Sequence, residues 1–339
     1  MREATRSPKI SILLPARDAE ETLAACLESV GRQVERDWEC VIVDDGSRDA
    51  TAKVARAFAR RDARFVLARR PRAGLVEALN AGLSFCRGTW VARMDADDLM
   101  HRDRLREQLS LLESRPGLDA AGCRVRLFPR DALGPGMREY EAWINALDGP
   151  ASVRRDAFIE CPVAHPALFA RRALLERFGY RDRGWPEDYD LMLRLLAAGT
   201  EIGVAPRRLL LWRHTAGRLS RTSPVYGPAA FTECKAEHLC HSFLANRDSY
   251  DLWGYGATGR TLCAALSRRG RKPSRIVDLH PGRLGNRVHG ALVIAPEHLG
   301  AGPRERMIVS VAGAGPRARI RSWLTRTGRV ELRDFICAA

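Results

Sequence analysis

The chain has 339 residues, and because a single hydrophobic core rarely grows past about 250–300 residues, two domains are expected rather than one. Hydrophobic residues (45%) and charged residues (29%) stand in the balance of an ordinary globular protein, which excludes disorder, collagen and coiled coil as descriptions of the whole. The anomaly is a net charge of +15, carried by 56 Lys and Arg of which only Lys9, Lys53, Lys235 and Lys272 are lysines. Such an arginine-rich chain suits a phosphate-bearing partner or an anionic membrane face, or simply solvates its arginines wherever they fall.

Residues 10–14 read as a buried strand, 19–34 as an amphipathic helix with Leu23, Cys26, Leu27 and Val30 at helical spacing, and 40–43 as a second strand. A helix at 50–59, a strand at 65–67, a helix at 75–85, a strand at 90–94 and a helix at 104–112 follow. This alternation implies βαβ units and a largely parallel sheet, with ligands beyond the carboxyl ends of its strands. From 130 to 186, Pro129, Gly134, Pro135, Gly136, Gly149 and Pro150 are expected to break regular structure. A helix at 189–198 and a helical stretch around 231–244 lead to a second alternation. It has strands at 250–253, 275–277, 292–294 and 307–311 and helices at 260–266 and 318–324. The fold class is therefore α/β, with a large domain over 1–222, a helical linker over 223–248 and a small α/β domain over 249–339.

No apolar run reaches the ~18–20 residues that span a bilayer, and the N-terminal residues lack a secretory h-region, so a cytoplasmic chain is expected. The nine cysteines are scattered without a C-x-x-C pair and read as reduced thiols. The charge alone does not make a nucleic-acid binder: no basic stretch is interleaved with aromatic residues.

Polar residues at strand ends are the informative ones. Asp44 and Asp45 follow the strand at 40–43, and Asp95, Asp97 and Asp98 follow the strand at 90–94. Crowded carboxylates repel unless a cation or polar ligand lies between them, and a hard divalent ion bridges carboxylates to phosphate oxygens. Capping of the next helix by Asp98 or Asp103 accounts for at most part of this cluster.

These residues carry a resemblance. The runs ISILLPARDA from Ile10, VIVDDGS from Val41, ALNAG from Ala78 and ARMDADD from Ala92 resemble the family-2 inverting glycosyltransferases of GT-A fold. His165-Pro166, Gly179-Tyr180, Glu187-Asp188-Tyr189-Asp190 and Trp212-Arg213-His214 extend the resemblance to about residue 222.

The resemblance implies a nucleotide-sugar donor contacted by Pro15, Ala16, Asp44, Asp45, Asn80, Arg93, Asp95 and Asp97. It implies Mg²⁺ or Mn²⁺ at Asp97 and Asp95, with His214 as a further ligand, and Asp188 as the general base. His165, Glu187, Arg213 and His214 would lie on the acceptor or diphosphate side, and the acceptor would be a glycan or a lipid-linked saccharide. Inversion needs one base and no covalent nucleophile, and a carboxylate is ionised at neutral pH. Asp188 and Asp190 also suit a solvated helix N-terminus. Two departures stand out: Arg17-Asp18 replaces an aromatic-Asn pair that many relatives carry, and Phe178 replaces the first of two glycines.

In the C-terminal segment, Gly254, Gly256 and Gly259 form G-x-G-x-x-G after a strand and before a helix, and Asp278 ends the next strand. That is the context of a dinucleotide fingerprint, and it predicts NAD or another nucleotide there, or a Rossmann-like domain kept for structure alone. The segment also resembles the small Rossmann-like domain of some sugar acyltransferases and nucleotide-sugar dehydratases. Residues 249–339 hold 16 Lys and Arg against 6 Asp and Glu, whereas residues 1–248 hold 40 against 35. The surplus charge thus falls on the small domain, where an anionic cofactor, partner or membrane face would meet it.

Overall fold

The computed structural model describes residues 7–215, 217–300 and 305–339. The chain divides into two compact units. The first takes the chain up to Val153 with Pro162–Asp182 and Asp190–Arg218, and the second takes Arg154–Cys161, Arg183–Tyr189 and Leu219–Ala339.

In chain order the first half runs β1 (Ile10–Ala16), α1 (Leu23–Gly31), β2 (Trp38–Asp45), α2 (Thr51–Arg61), β3 (Phe65–Arg70), α3 (Leu75–Phe85) and β4 (Trp90–Arg93). The two-residue β5 (Leu99–Met100), α4 (Arg104–Ser114), β6 (Ala120–Phe128), α5 (Pro135–Ala146), α6 (Pro150–Asp156), β7 (Phe169–Arg171), α7 (Arg172–Phe178), α8 (Glu187–Ala197) and β8 (Ile202–Arg213) follow. The first unit's sheet has eight strands in the order β3-β2-β1-β4-β7-β6-β8-β5. β3, β2, β1 and β4 are mutually parallel, and β7 runs antiparallel between β4 and β6.

β1 and β2 are buried along their whole length, as expected of strands covered on both faces. α3 lies close on them because Gly82 has no side chain: a Cβ there would stand 2.4 Å from Leu13 Cδ1 and 2.6 Å from Val43 Cγ2. The same layout sends the carboxyl ends of β1, β2 and β4 to one edge, where Ala16, Asp45 and the residues after Arg93 emerge.

Residues 130–186 depart from the expectation of broken structure. Pro135 and Pro150 open α5 and α6 at the first helical position, where a missing N–H costs nothing, so these prolines start helices instead of ending them. Pro228 does the same for a helix in the segment that was expected to be a helical linker.

The second half continues with α9 (Leu219–Thr222), α10 (Pro228–His241), β9 (Ser249–Trp253), α11 (Ala257–Arg268), β10 (Lys272–Val277), β11 (Arg287–Val288) and β12 (Ala291–Ile294). It ends with β13 (Met307–Val309), α12 (Ala314–Arg326) and β14 (Phe335–Cys337). The second unit's six-stranded sheet has the order β11-β12-β10-β9-β13-β14, parallel except for β11 against β12. Trp253, Val277, Met307, Val309, Leu324, Phe335 and Cys337 form its core. All nine cysteines are buried free thiols. Among the described residues no helix is long and apolar enough to cross a membrane.

Candidate active site

β4 ends at Arg93 and delivers Asp95, Asp97 and Asp98 to the carboxyl edge of the first sheet, where one oxygen from each lies within 4.8 Å of the others. Arg93 forms an ion pair with Asp95. Arg218 reaches Asp95 at 3.5 Å through Nη2 and Asp97 at 3.9 Å through Nε. Arg213, the last residue of β8, donates its backbone N–H to Asp98 Oδ1 and its Nε to the Asp97 carbonyl, both at 2.7 Å. Its guanidinium carbon stands 4.6 Å from the Phe128 ring centroid.

The three carboxyls differ in charge state because their surroundings differ. Burial works to raise Asp95, but Arg93, Arg218 and His165 outweigh it and hold this carboxyl below its ordinary range. Burial and the adjacent Asp95 raise Asp97, and burial together with Asp95 and Asp97 pushes Asp98 well above the carboxylate range. Asp98 Oδ2 is buried and has no hydrogen-bond partner among the described residues. An orphaned buried oxygen beside two further carboxylates is a donor set that a hard divalent cation satisfies. Asp98 does not cap α4; Asp103 stands at that N-cap, makes no side-chain cap bond, and pairs with Arg106 and Arg207.

Asp44 and Asp45 end β2 and shape the turns around them. Asp44 accepts from the Ser47 N–H at 3.0 Å and from Arg69 Nε at 3.0 Å. Asp45 accepts the N–H groups of Ala73 and Gly74, each at 2.9 Å. Pro15 and Ala16 are buried at the end of β1, while Arg17, in the place of the expected aromatic, is exposed beside Asp18. His165 Nε2 lies 3.1 Å from the Tyr180 hydroxyl, and His214 is buried just past β8. Asn80 spends both ends of its amide on the Tyr180 backbone, each at 3.0 Å, which staples α3 to the segment after Phe178. Arg194 holds the same segment by donating to the Phe178 and Gly179 carbonyls.

The family model "Glycosyl transferase family 2" matches residues 11–179. The putative glycosyltransferase EpsE of Bacillus subtilis is 32% identical over 198 residues, which cover 57% of this chain and 68% of EpsE. The amylovoran biosynthesis glycosyltransferase AmsE of Erwinia amylovora is 30% identical over 203 residues, 59% of this chain and 74% of AmsE. The chain belongs to glycosyl transferase family 2. It is a glycosyltransferase, and its first unit has the GT-A fold. Among solved structures, residues 1–349 of S. aureus TarS in complex with UDP align with a TM-score of 0.55 at 16% identity, over 77% of this chain and 71% of the other. The mannosyltransferase PcManGT from Pyrobaculum calidifontis, in complex with GDP-Man and Mn²⁺, aligns with a TM-score of 0.50 at 21% identity, over 69% and 63%. At these identities the likeness is one of fold.

The family-2 match stops before Glu187 and Asp188, which open α8. Asp188 Oδ1 accepts the N–H of Tyr189 at 2.8 Å, and buried Glu187 accepts the Tyr226 hydroxyl. Sequence reasoning on this glycosyltransferase missed Arg218 and Arg104. Arg104 is fully buried in α4 and donates to the Arg93 carbonyl and to Gln108, which fixes the backbone from which Asp95 departs. A charged residue on the apolar face of a predicted helix is the signal that could have found it. Arg218 lies in a loop with no periodicity to read.

In the second unit, Gly254 (φ +94°) cannot carry a Cβ, which would stand 2.5 Å from Val311 Cγ2, and a Cβ on Gly259 would stand 2.0 Å from the Gly254 carbonyl oxygen. Gly256 has open space around it. Asp278 is engaged by the chain's own donors. Oδ2 accepts from the Tyr255 N–H and from Arg283 Nη1, both at 3.0 Å, and Oδ1 accepts from the His280 N–H at 2.8 Å.

Proposed function

We propose that this glycosyltransferase moves a sugar from a nucleotide-sugar donor to a hydroxyl of a glycan or lipid-linked acceptor and inverts the anomeric centre. The Asp95, Asp97 and Asp98 cluster, with its orphaned buried oxygen, carries the reading. Asp95 and Asp97 would hold Mg²⁺ or Mn²⁺, with His214 as a further candidate ligand. Such an ion neutralises charge that builds on a departing nucleoside diphosphate. That TarS, in complex with UDP, and PcManGT, in complex with GDP-Man and Mn²⁺, share this fold supports a nucleotide-sugar donor and a divalent cation. The name of AmsE supports a role in polysaccharide biosynthesis.

The residues divide the work. Asp44 and Asp45 set the turns past β2 against which the nucleoside lies, and Pro15 and Ala16 form the floor at the end of β1. Arg213 and Arg218 place fixed positive charge beside the carboxylates, where negative charge develops on the leaving group. Asp188 accepts the proton of the acceptor hydroxyl as the oxygen's lone pair forms the bond to the anomeric carbon. The bond from that carbon to the diphosphate breaks, and its electron pair leaves with the nucleoside diphosphate. No bond to the enzyme forms.

The test is nucleoside diphosphate release from a panel of nucleotide-sugar donors with an acceptor present and Mn²⁺ or Mg²⁺ added. Asp188→Asn is expected to lower kcat by about 10²–10⁴-fold while donor binding persists, the range that a general base supplies. Turnover equal to wild type in this variant would remove Asp188 from the role.

A further inference from the structure

Sheet order in the second unit reverses between β9 and β13. From β9 the chain crosses through α11 to β10 on one side, and from β13 it crosses through α12 to β14 on the other. Because β9 and β13 are parallel neighbours, α11 and α12 both begin beyond the same sheet edge. In open α/β sheets such a reversal leaves a crevice between the two strand ends, and ligands bind there. Both helices open at a glycine N-cap, Gly256 before α11 and Gly313 before α12, carry a further glycine in the first turn, Gly259 and Gly315, and have no side-chain cap. Their first-turn N–H groups, which Pro316 lacks in α12, have no intrahelical acceptor and point out of the helix ends, where an anion is favoured.

A cavity of about 220 Å³ lies at this place, with Thr258 and Thr261 of α11, Ser310 and Gly313 of the turn after β13, and Lys235 of α10 in its wall. Ser310 is 2% exposed, and its Oγ has no hydrogen-bond partner among the described residues. A buried hydroxyl without a partner is costly unless something supplies one. Lys235 is partly exposed, donates to the Ile159 and Ala338 carbonyls at 2.7 and 3.1 Å, and forms no ion pair with a carboxylate among the described residues. The wall therefore offers an ammonium, the first turn of α11 and the N-cap of α12 to one small space, which Ala339, bonded through its oxygen to Arg317, also lines.

The size and the engaged acid speak against a whole dinucleotide. Pockets for drug-sized ligands run to about 300–1,000 Å³. The carboxylate that would grip a ribose, Asp278, is committed to Tyr255, His280 and Arg283.

We infer that the crevice between β9 and β13 is a binding site for the phosphoryl group of a compact phosphate ester, held by the α11 and α12 N-termini, Ser310 and Lys235. The groups named as holding the phosphoryl group lie outside the family-2 match and take no part in the proposed sugar transfer. Such a site would let a small phosphorylated compound bind the chain without occupying the donor's carboxylates.

The probe is inorganic phosphate, titrated calorimetrically into the full chain with EDTA present to suppress cation-mediated binding at the carboxylates. A small sugar phosphate and NAD⁺ form the comparison arms. One saturable phosphate site is expected, tighter for the sugar phosphate, and weakened about tenfold or more by Ser310→Ala. Without phosphate the Ser310→Ala chain should melt no lower than wild type, since that hydroxyl has no bond to lose. Lys235→Met should weaken phosphate in the same direction. Absence of saturable binding, or phosphate affinity unchanged by Ser310→Ala, overturns the assignment. So does NAD⁺ binding that is tighter than the sugar phosphate and sensitive to Asp278→Asn but not to Ser310→Ala.

Discussion

Asp98 is fully buried, bonded at one oxygen to the Arg213 N–H and without a partner among the described residues at the other, with Asp95 and Asp97 beside it. Replacing it by asparagine keeps an acceptor for Arg213 and removes a carboxyl that its neighbours disfavour in the charged form. The Asp98→Asn chain should therefore melt at the wild-type temperature or above it in EDTA, yet bind Mn²⁺ about 10–100-fold more weakly, the usual cost of losing an outer partner of a metal site. A Mn²⁺ titration followed by electron paramagnetic resonance, with melting curves alongside, reads both effects; Mn²⁺ affinity equal to wild type would place the cation away from Asp98. At this scale the acids were legible in the sequence because strand ends and carboxylate chemistry are local facts. Their counter-charges were not. Arg218 follows β8 in a loop, and Asn80, expected at the donor, turns its amide to the Tyr180 backbone, a pairing between residues 100 positions apart that no spacing announces.

Among the elements, the βαβ stretch up to α4 could be read directly, because its strands are short continuous apolar runs between amphipathic helices. β8 could not. Its twelve residues carry Pro206, Arg207 and Arg208 in the middle, all exposed, and its pairing with β6 shifts register around Arg124, so the apolar signal splits into two fragments. β14 is three residues long and was missed for the opposite reason, being too brief for any period to show. In the second unit, Asp156 at the end of α6 accepts from Arg155 and from Arg321 of α12. Burial opposes ionisation of Asp156, but these arginines prevail and hold its carboxyl below the ordinary range. A carboxyl depressed in the folded chain stabilises it above the unfolded pKa of ~3.9, and that contribution disappears as pH falls through the folded value. Asp156→Asn should thus cost about 1.5–3 kcal/mol at pH 7, and the gap to wild type should narrow as pH falls from the unfolded pKa through the lower folded value. Urea unfolding at pH 7, 5 and 3 measures this; a gap that stays constant with pH would show that the carboxylate charge is not what the arginines recognise.

For the whole molecule, the surplus of +15 is better understood than composition allowed. The densest basic run, residues 268–272, is largely tied down within the second unit: Arg268 and Arg269 pair with Glu233 and Glu237, and Arg271 with Asp248. Arg275 and Arg283 likewise meet Asp251 and Asp278. Part of the positive charge in that unit is therefore internal bracing, which leaves its net surplus uncancelled, whereas the catalytic reading rests on Asp95, Asp97 and Asp98 of the first unit and on Asp188. The proposed chemistry is a single displacement in which Asp188 would deprotonate the acceptor while the diphosphate departs beside Asp95 and Asp97. Proton NMR of the first product formed from an α-linked nucleotide-sugar donor tests this most directly. A β-configured product is expected from the earliest time point, and an α-configured product would rule out the single displacement.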